Sequence, residues 1–278
     1  YMVARYKPRQ VQHTYGRASL NIYLGDPLGE TWYDHNWPEP SEIALLRRHK
    51  LKPGARCFDL GAHQCVVALM LAREVGPEGL VVAVEANSHN VAIGFKNRSL
   101  NQADQLSILH AAIAERSGTM IINEALNSQV STSPAVRGGH QAEVRSLTID
   151  DLSQEYGTPD VLFIDIEGFE CQALRGASET LSQGPDCFVE VHVGEGLEQL
   201  GGSVDEILSF FPETVYKLFI APDLGYLRQG EFREYTPGDE LVQSKFFLVA
   251  VSQKTSYQMD SATQTPEYGG DSGSYSRI

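Results

Sequence analysis

The stretch Val161-Leu162-Phe163-Ile164-Asp165-Ile166-Glu167-Gly168-Phe169-Glu170 decides the fold. Its four leading apolar residues, branched or aromatic, fit a strand buried on both faces, as in a parallel sheet covered by helices. The strand delivers Asp165 and Glu167 at its C-terminal end, and the two-residue period of a strand points both carboxylates the same way. In open α/β sheets ligands bind beyond the carboxyl ends of the strands. Paired acids at the end of a buried strand are costly without partners, so this segment reads as half of an active site.

Outward from it, strands alternate with helical patterns. Segments 57–60, 80–86, 106–109, 161–166, 186–192, 215–220 and 246–251 read as strands, with an extra one at 119–123. Segments 66–75, 88–100, 147–156, 171–181 and 204–211 read as helices, Ser88 capping the second. Such alternation predicts a doubly wound α/β fold, a mostly parallel sheet with helices on both faces. No convincing helix joins the last two strands, so a hairpin is expected and the final strand runs antiparallel. Residues 1–40 read as irregular and rich in aromatics, followed by a helix from Ser41. Three regions result: an arm and helix over 1–53 that can cover the site, a catalytic domain over 54–252, and a flexible tail over 253–278.

The chain has 278 residues, 42% hydrophobic, and a formal net charge of −14. That acidity argues against nucleic acid or an anionic membrane as partner. No apolar run approaches the ~20 residues of a membrane span. No signal peptide is read at the start, which is Tyr1 rather than Met, as in a trimmed chain. The cysteines, at 57, 65, 171 and 187, form no C-x-x-C pair and read as free buried thiols. With no disulfide framework, a cytoplasmic location is the expectation.

The segment Phe58-Asp59-Leu60-Gly61-Ala62-His63-Gln64-Cys65 joins the first strand to the first helix. Gly61 allows a tight turn and close approach to a ligand. Glu85, ending the second strand, suits a ribose diol, with Asn87 beside it. A pyrophosphate cradle wants G-x-G-x-x-G, yet the positions after Gly61 hold His63 and Cys65. A ligand with ribose and adenine but no phosphate fits better, and S-adenosylmethionine is the common one.

The ordered set FDLGA (58–62), VVAVEAN (81–87), SLTIDDL (146–152), LFIDIEGFE (162–170), FVEVH (188–192) and KFFLVAV (245–251) resembles the FkbM-type family of S-adenosylmethionine-dependent methyltransferases. The resemblance spans roughly residues 55–252. It implies a Rossmann-like class I fold with a seven-stranded sheet of order 3-2-1-4-5-7-6, strand 7 antiparallel, and O-methylation of sugars or secondary metabolites. By the same resemblance Asp59 and Gly61 line the methionine end of the cofactor, Glu85 binds its ribose and Asp165 faces the transferable methyl. Ala62, His63, Asn87 and Ala112 complete the expected cofactor contacts. The chain departs from the family at His63, where Asn is common, at Cys65 in place of Gly, and at Phe163, where Lys is frequent.

Methyl transfer to a hydroxyl needs alignment and removal of a proton. Glu190 and His192 share a face of the strand at 186–192, which in that order neighbours the strand carrying Asp165 and Glu167. Four groups can thus converge above one sheet edge, with His192 as general base oriented by Glu190 or Asp165. Glu170 reads as an acid favouring a helix N-terminus. Carboxylates with a histidine also suit a divalent cation, Mg²⁺ through Asp165 and Glu190, though the spacing carries no metal signature. The Trp32-Tyr33-Asp34-His35-Asn36-Trp37 cluster reads as a lid, a stacking surface for a sugar ring, or packing for the arm. His110, after the third strand, falls near the adenine, and residues 124–142 read as a mobile loop over the site. The partner is a small hydroxyl acceptor; the assembly state stays open, a homodimer being one form. Two other readings compete: a binding protein of this fold without catalysis, and a nicotinamide-dependent oxidoreductase, against which the missing glycines argue.

Overall fold

In the computed structural model, which describes residues 6–124, 129–130, 140–224, 230–236, 238–239 and 244–254, the chain opens on a hairpin. Strands β1 (Arg9–Tyr15) and β2 (Ala18–Leu24) pair antiparallel around Gly16. This corrects the irregular reading of residues 1–40. The signal lay in ASLNIYL, whose alternate residues Ala18, Leu20, Ile22 and Leu24 are buried. Helix α1 (Pro27–Tyr33) follows, capped by Asp26, whose carboxylate accepts from the Gly29 amide. Helix α2 (Ser41–Arg47) has Pro40 at its cap position, with no side-chain capping bond from that residue.

From residue 56 the elements alternate: β3 (Arg56–Leu60), α3 (Val66–Val75), β4 (Leu80–Glu85), α4 (Ser88–Leu100) and β5 (Leu106–His110). A small sheet is inserted next, built from β6 (Ala112–Ile113), β7 (Gly118–Glu124), β8 (Gln129–Val130) and β9 (His140–Leu147) in the order β6-β9-β7-β8. Of its strands only β7 was read from the sequence. The main series resumes with α5 (Ile149–Tyr156), β10 (Val161–Ile164), α6 (Glu170–Arg175), α7 (Ser178–Ser182), β11 (Asp186–Val191), α8 (Val204–Ser209), β12 (Tyr216–Pro222), β13 (Arg233–Tyr235) and β14 (Phe246–Ser252).

The main sheet runs β13-β12-β14-β11-β10-β3-β4-β5. Strands β11, β10, β3, β4 and β5 are parallel, and β14 lies antiparallel between β11 and β12. That is the expected order with one strand more, since β13 extends the β12 edge. The two-residue period divides the strands between two cores. Cys57, Val81, Ala83, Val161 and Phe163 face one core, shared with the hairpin, α2 and α3. Phe58, Val82, Val84, Leu162 and Ile164 face the other, shared with α5 to α8. Burying both faces is why these strands read as unbroken apolar runs.

Two helix expectations need correction. The span 171–181 is two helices, because Gly176 passes so near Ala114 that an added Cβ would meet its carbonyl oxygen at 2.5 Å. Helix α4 is capped by Asn87 rather than Ser88, the Asn87 side chain accepting from the amides of His89 and Asn90. Asn97 of α4 and Asn101, its C-cap, also pair with backbone groups of Asn21 and Tyr23 in β2, satisfying a strand edge. The loop expected over 124–142 lies largely outside the described residues, as does the tail beyond residue 254. Among the described residues no helix is long and apolar enough to cross a membrane. All four cysteines are free and buried.

Candidate active site

Parallel strands β3, β4, β5 and β10 end on the same side of the sheet, and a cleft of about 740 Å³, counting its open mouth, lies above those ends. Its walls come from the loops that follow each strand: Gly61 and His63 after β3, Glu85 and Ala86 at the end of β4, Ala111 to Ile113 after β5, and Asp165 to Glu167 after β10. Trp32 of α1 and Ile122 of β7 complete the rim. This is the strand-end crevice where open α/β sheets bind ligands, and its size suits a small cofactor.

Gly61 is obligatory for a reason the sequence did not disclose. Its φ is +90°, and a Cβ there would sit 1.7 Å from the Asp165 carbonyl oxygen. The β3 and β10 loops therefore touch through backbone. Glu85 accepts the His63 amide at 2.8 Å on one carboxylate oxygen and the Asn87 amide at 2.7 Å on the other. The Asn90 side chain and the Ala86 amide add hydrogen bonds to the same carboxylate, which lines the cleft where a ribose would lie. Burial drives the Glu85 pKa up to about 7, against the pull of those amides. Asp59 is also pushed up to about 7, by burial and then by the charge of Glu85. Its buried Oδ2 makes no hydrogen bond, but Asp59 does not line the cleft.

Of the other residues expected at the cofactor, His63 and Ala112 line the cleft, while Ala62 and Asn87 do not. Ala62 is tied by its amide to the Val84 carbonyl, and Asn87 is occupied with capping α4. His110 is exposed and bonds the Ala86 carbonyl, outside the lining. His63, standing where the family favours Asn, is held from the N-terminal region. Its Nδ1 meets the Tyr33 hydroxyl at 2.8 Å, and its ring lies 4.9 Å from the Trp32 indole.

Beside the cleft the expected acid–imidazole cluster is assembled. His192 Nε2 stands 3.8 Å from Asp165, 3.6 Å from Glu167 and 3.8 Å from Glu190. The strand-alternation argument for Asp165 and Glu167 does not hold, because β10 stops at Ile164 and Glu167 is left-handed at φ +54°. Backbone conformations of that kind cluster at functional sites. The partner of His192 also differs from expectation. Its Nδ1 is 2.7 Å from Glu170, a fully buried carboxylate that the sequence reading gave to a helix terminus. Lys245, ahead of β14, adds a cation 2.7 Å from Glu190 and 3.2 Å from Asp223. Its place in KFFLVAV carried no charge-pairing signal.

Burial disfavours a charged His192, but the Glu170 hydrogen bond and the neighbouring carboxylates outweigh it and raise its pKa to about 10. That shift favours the imidazolium over the neutral base expected from the sequence. Asp165 goes the other way for a carboxylate: burial, and then the adjacent Glu190, hold its pKa well above the usual range. Its side chain keeps 41% of its surface, facing the cleft, so the desolvation is that of a concave site and not of a closed core. Asp165, Glu190 and His192 each offer a ligand atom within 4.8 Å of the others, a donor set in reach of one cation.

A family model described as Methyltransferase FkbM domain matches residues 59–218. No curated protein matches the chain. Among solved structures it resembles an FkbM methyltransferase from Methylobacillus flagellatus KT at 19% identity and a TM-score of 0.44, covering 70% of this chain and 43% of that one. The present chain thus spans less than half of that protein. It also resembles a putative rRNA methylase from Clostridium thermocellum (12% identity, TM-score 0.46, 76% and 93% covered). A third is a SAM-dependent O-methyltransferase from Thermotoga maritima (14% identity, TM-score 0.45, 89% and 78% covered). Likeness at this distance bears on neither the acceptor nor the chemistry of the present chain. The family match covers more than half of the 278 residues, and the chain belongs to the FkbM methyltransferase domain family.

Proposed function

We propose that this protein is an S-adenosylmethionine-dependent O-methyltransferase acting on a hydroxyl of a sugar or secondary metabolite. The observation that carries the reading is the single cleft joining Glu85, at the end of β4, to Asp165, after β10. Bound there, S-adenosylmethionine supplies an electrophilic methyl group on a sulfonium centre. Glu85 holds the ribose diol, Ala112 and Ile113 contact the adenine, and Gly61 lets the cofactor approach the backbone. Trp32, on the rim, gives an acceptor ring an apolar face to lie against.

Asp165 takes the hydroxyl proton as the new bond forms. A carboxylate with a raised pKa is a stronger base than an exposed one, and such groups contribute ~10²–10⁴-fold. His192, expected to be that base, serves instead as a fixed positive charge that steadies Asp165 and Glu190. Mg²⁺ fits this donor set less well. It prefers oxygen ligands in octahedral geometry, whereas one of the three donors is an imidazole and Lys245 already neutralises Glu190. Addition of EDTA is expected to leave the transfer rate unchanged, and a loss restored by Mg²⁺ would reinstate the metal.

The test pairs calorimetry with turnover. S-adenosylhomocysteine is expected to bind in the micromolar range, and Glu85→Gln to weaken it ~10–100-fold, the worth of hydrogen bonds to a charged group. Unchanged affinity in Glu85→Gln removes the ribose assignment. Labelled methyl transfer to a panel of sugars and phenolic or aliphatic alcohols tests the chemistry. Binding with no turnover across the panel favours a non-catalytic binding protein of the same fold.

A further inference from the structure

Asn90 lies in the first turn of α4 and lines the cleft. It is 1% exposed, so its side-chain amide is a buried polar group that needs partners. One end of that amide has one, because the side chain donates to the Glu85 carboxylate. Only the amide nitrogen can donate, so this bond fixes the nitrogen toward Glu85 and turns Oδ1 away from it. Asn90 Oδ1 is buried and, among the described residues, accepts no hydrogen bond. A buried acceptor without a donor is costly, and such an atom in a cleft points to a ligand that supplies one.

The turn that carries Asn90 is held from both sides. The Asn87 side chain accepts from the Asn90 backbone amide at 3.3 Å. His89 Nε2 lies 3.0 Å from the buried carboxylate of Asp26, which also accepts from the Gln64 side chain at 2.6 Å and the Gly29 amide at 2.8 Å. The first turn of α4 is thereby clamped between the end of β4 and the start of α1, and Asn90 keeps its aim.

The partners of Glu85 say what the remaining acceptor is for. Four protein donors converge on that carboxylate: the backbone amides of His63, Ala86 and Asn87, and the Asn90 side chain. A carboxylate has about four lone-pair sites. The diol of a ribose brings two further donors, so Glu85 alone has little capacity left for both. We propose that Asn90 is a cofactor-binding residue, its Oδ1 accepting from one ribose hydroxyl of S-adenosylmethionine while Glu85 accepts from the other. This rests on the cofactor reading given above. The diol is then recognised by an amide and a carboxylate together, and a nucleoside lacking one hydroxyl leaves one of the two without its donor.

Calorimetry with S-adenosylhomocysteine and its 2′-deoxy and 3′-deoxy analogues tests this division. Asn90→Ala is expected to weaken S-adenosylhomocysteine ~3–10-fold, the worth of a neutral hydrogen bond. With one of the two analogues that loss should shrink to ~2-fold or less, because the hydroxyl concerned is already gone. The loss in Glu85→Gln should shrink with the other analogue. Unchanged affinity in Asn90→Ala, or a loss of equal size with all three ligands, overturns the proposal. Coupling of both residues to the same hydroxyl means that Asn90 only steadies Glu85, and overturns it too. Where Asn90→Ala does not fold, a crystal structure of the unmodified protein with S-adenosylhomocysteine decides. A ribose oxygen within about 3.2 Å of Asn90 Oδ1 upholds the proposal, and an Oδ1 that meets no ligand donor overturns it. Failure of the unmodified protein to bind S-adenosylhomocysteine removes the cofactor reading and this proposal together, whereas binding without coupling at Asn90 removes the proposal alone.

Discussion

Cys65 stands where the chain turns left-handed, at φ +64°, just before α3. A non-glycine residue there costs about 1–2 kcal/mol, and the fold has shaped a neighbour to accept it. A Cβ on Gly94 would lie 2.6 Å from the Cys65 sulfur, so Gly94 supplies the hollow in which the thiol sits. Gly94→Ala is therefore expected to destabilise by about 1–3 kcal/mol, as overpacking does. Adding Cys65→Gly should return part of that loss, because it removes the clashing sulfur and the left-handed penalty together. Urea denaturation of the single and double variants measures the coupling; strictly additive losses contradict it. The departure from the family's glycine pattern thus has a packing account and needs no change of ligand. Glu85 combines two duties in the same way, tying the β3 loop with its amide bonds while lining the cleft.

At the scale of elements, the N-terminal hairpin and α1 bring aromatic side chains to a loop far along the chain. The Tyr33 hydroxyl holds His63, and the Tyr15 hydroxyl donates to the Tyr33 carbonyl. Tyr33→Phe removes that partner from the half-buried His63 and is expected to cost about 0.5–1.5 kcal/mol in thermal or urea unfolding; an unchanged midpoint would show that the hydrogen bond contributes nothing. Much of the central sheet was legible because burial on both faces writes continuous apolar runs such as Val161–Ile164. The hairpin was missed because Pro8, Pro27, Pro38 and Pro40 read as an irregular segment, although ASLNIYL alternates. Asp165, Glu190 and His192 were legible as a cluster since strand order brings neighbouring strand ends together. The role of Glu170 was not, because a sequence cannot say which way the first turn of a short helix faces. The small sheet at β6 to β9 was hidden for a similar reason, its strands being short and interrupted.

At the scale of the whole molecule, buried acids bend stability toward mild acidity. Asp59 has a folded pKa of about 7, above its unfolded value. Between roughly pH 4 and 7 the native state therefore holds a proton that the unfolded chain has released. Stability from this group falls as pH rises through that window, by at most about 4 kcal/mol at 1.36 kcal/mol per unit. His192, raised to about 10, acts in the same sense at higher pH. Its contribution is complete below about 6.5 and is lost as pH climbs to about 10. Exposed acids such as Glu30 and Asp34, held low by Arg9 and His13, oppose this only at strongly acid pH. Maximum stability without ligand is expected near pH 4, in a chain whose net charge is −14 at pH 7. Asp59→Asn should flatten the decline between about pH 4 and 7, and a variant with the same slope as the unmodified protein contradicts the burial account.

These scales meet in the claim that one cleft holds a methyl donor between Glu85 and Asp165. The most direct measurement is a crystal structure of the protein with S-adenosylhomocysteine. The ribose hydroxyls are expected within hydrogen-bond distance of the Glu85 carboxylate, with the sulfur turned toward Asp165. A ligand seated elsewhere, or in the cleft with its ribose away from Glu85, would contradict it.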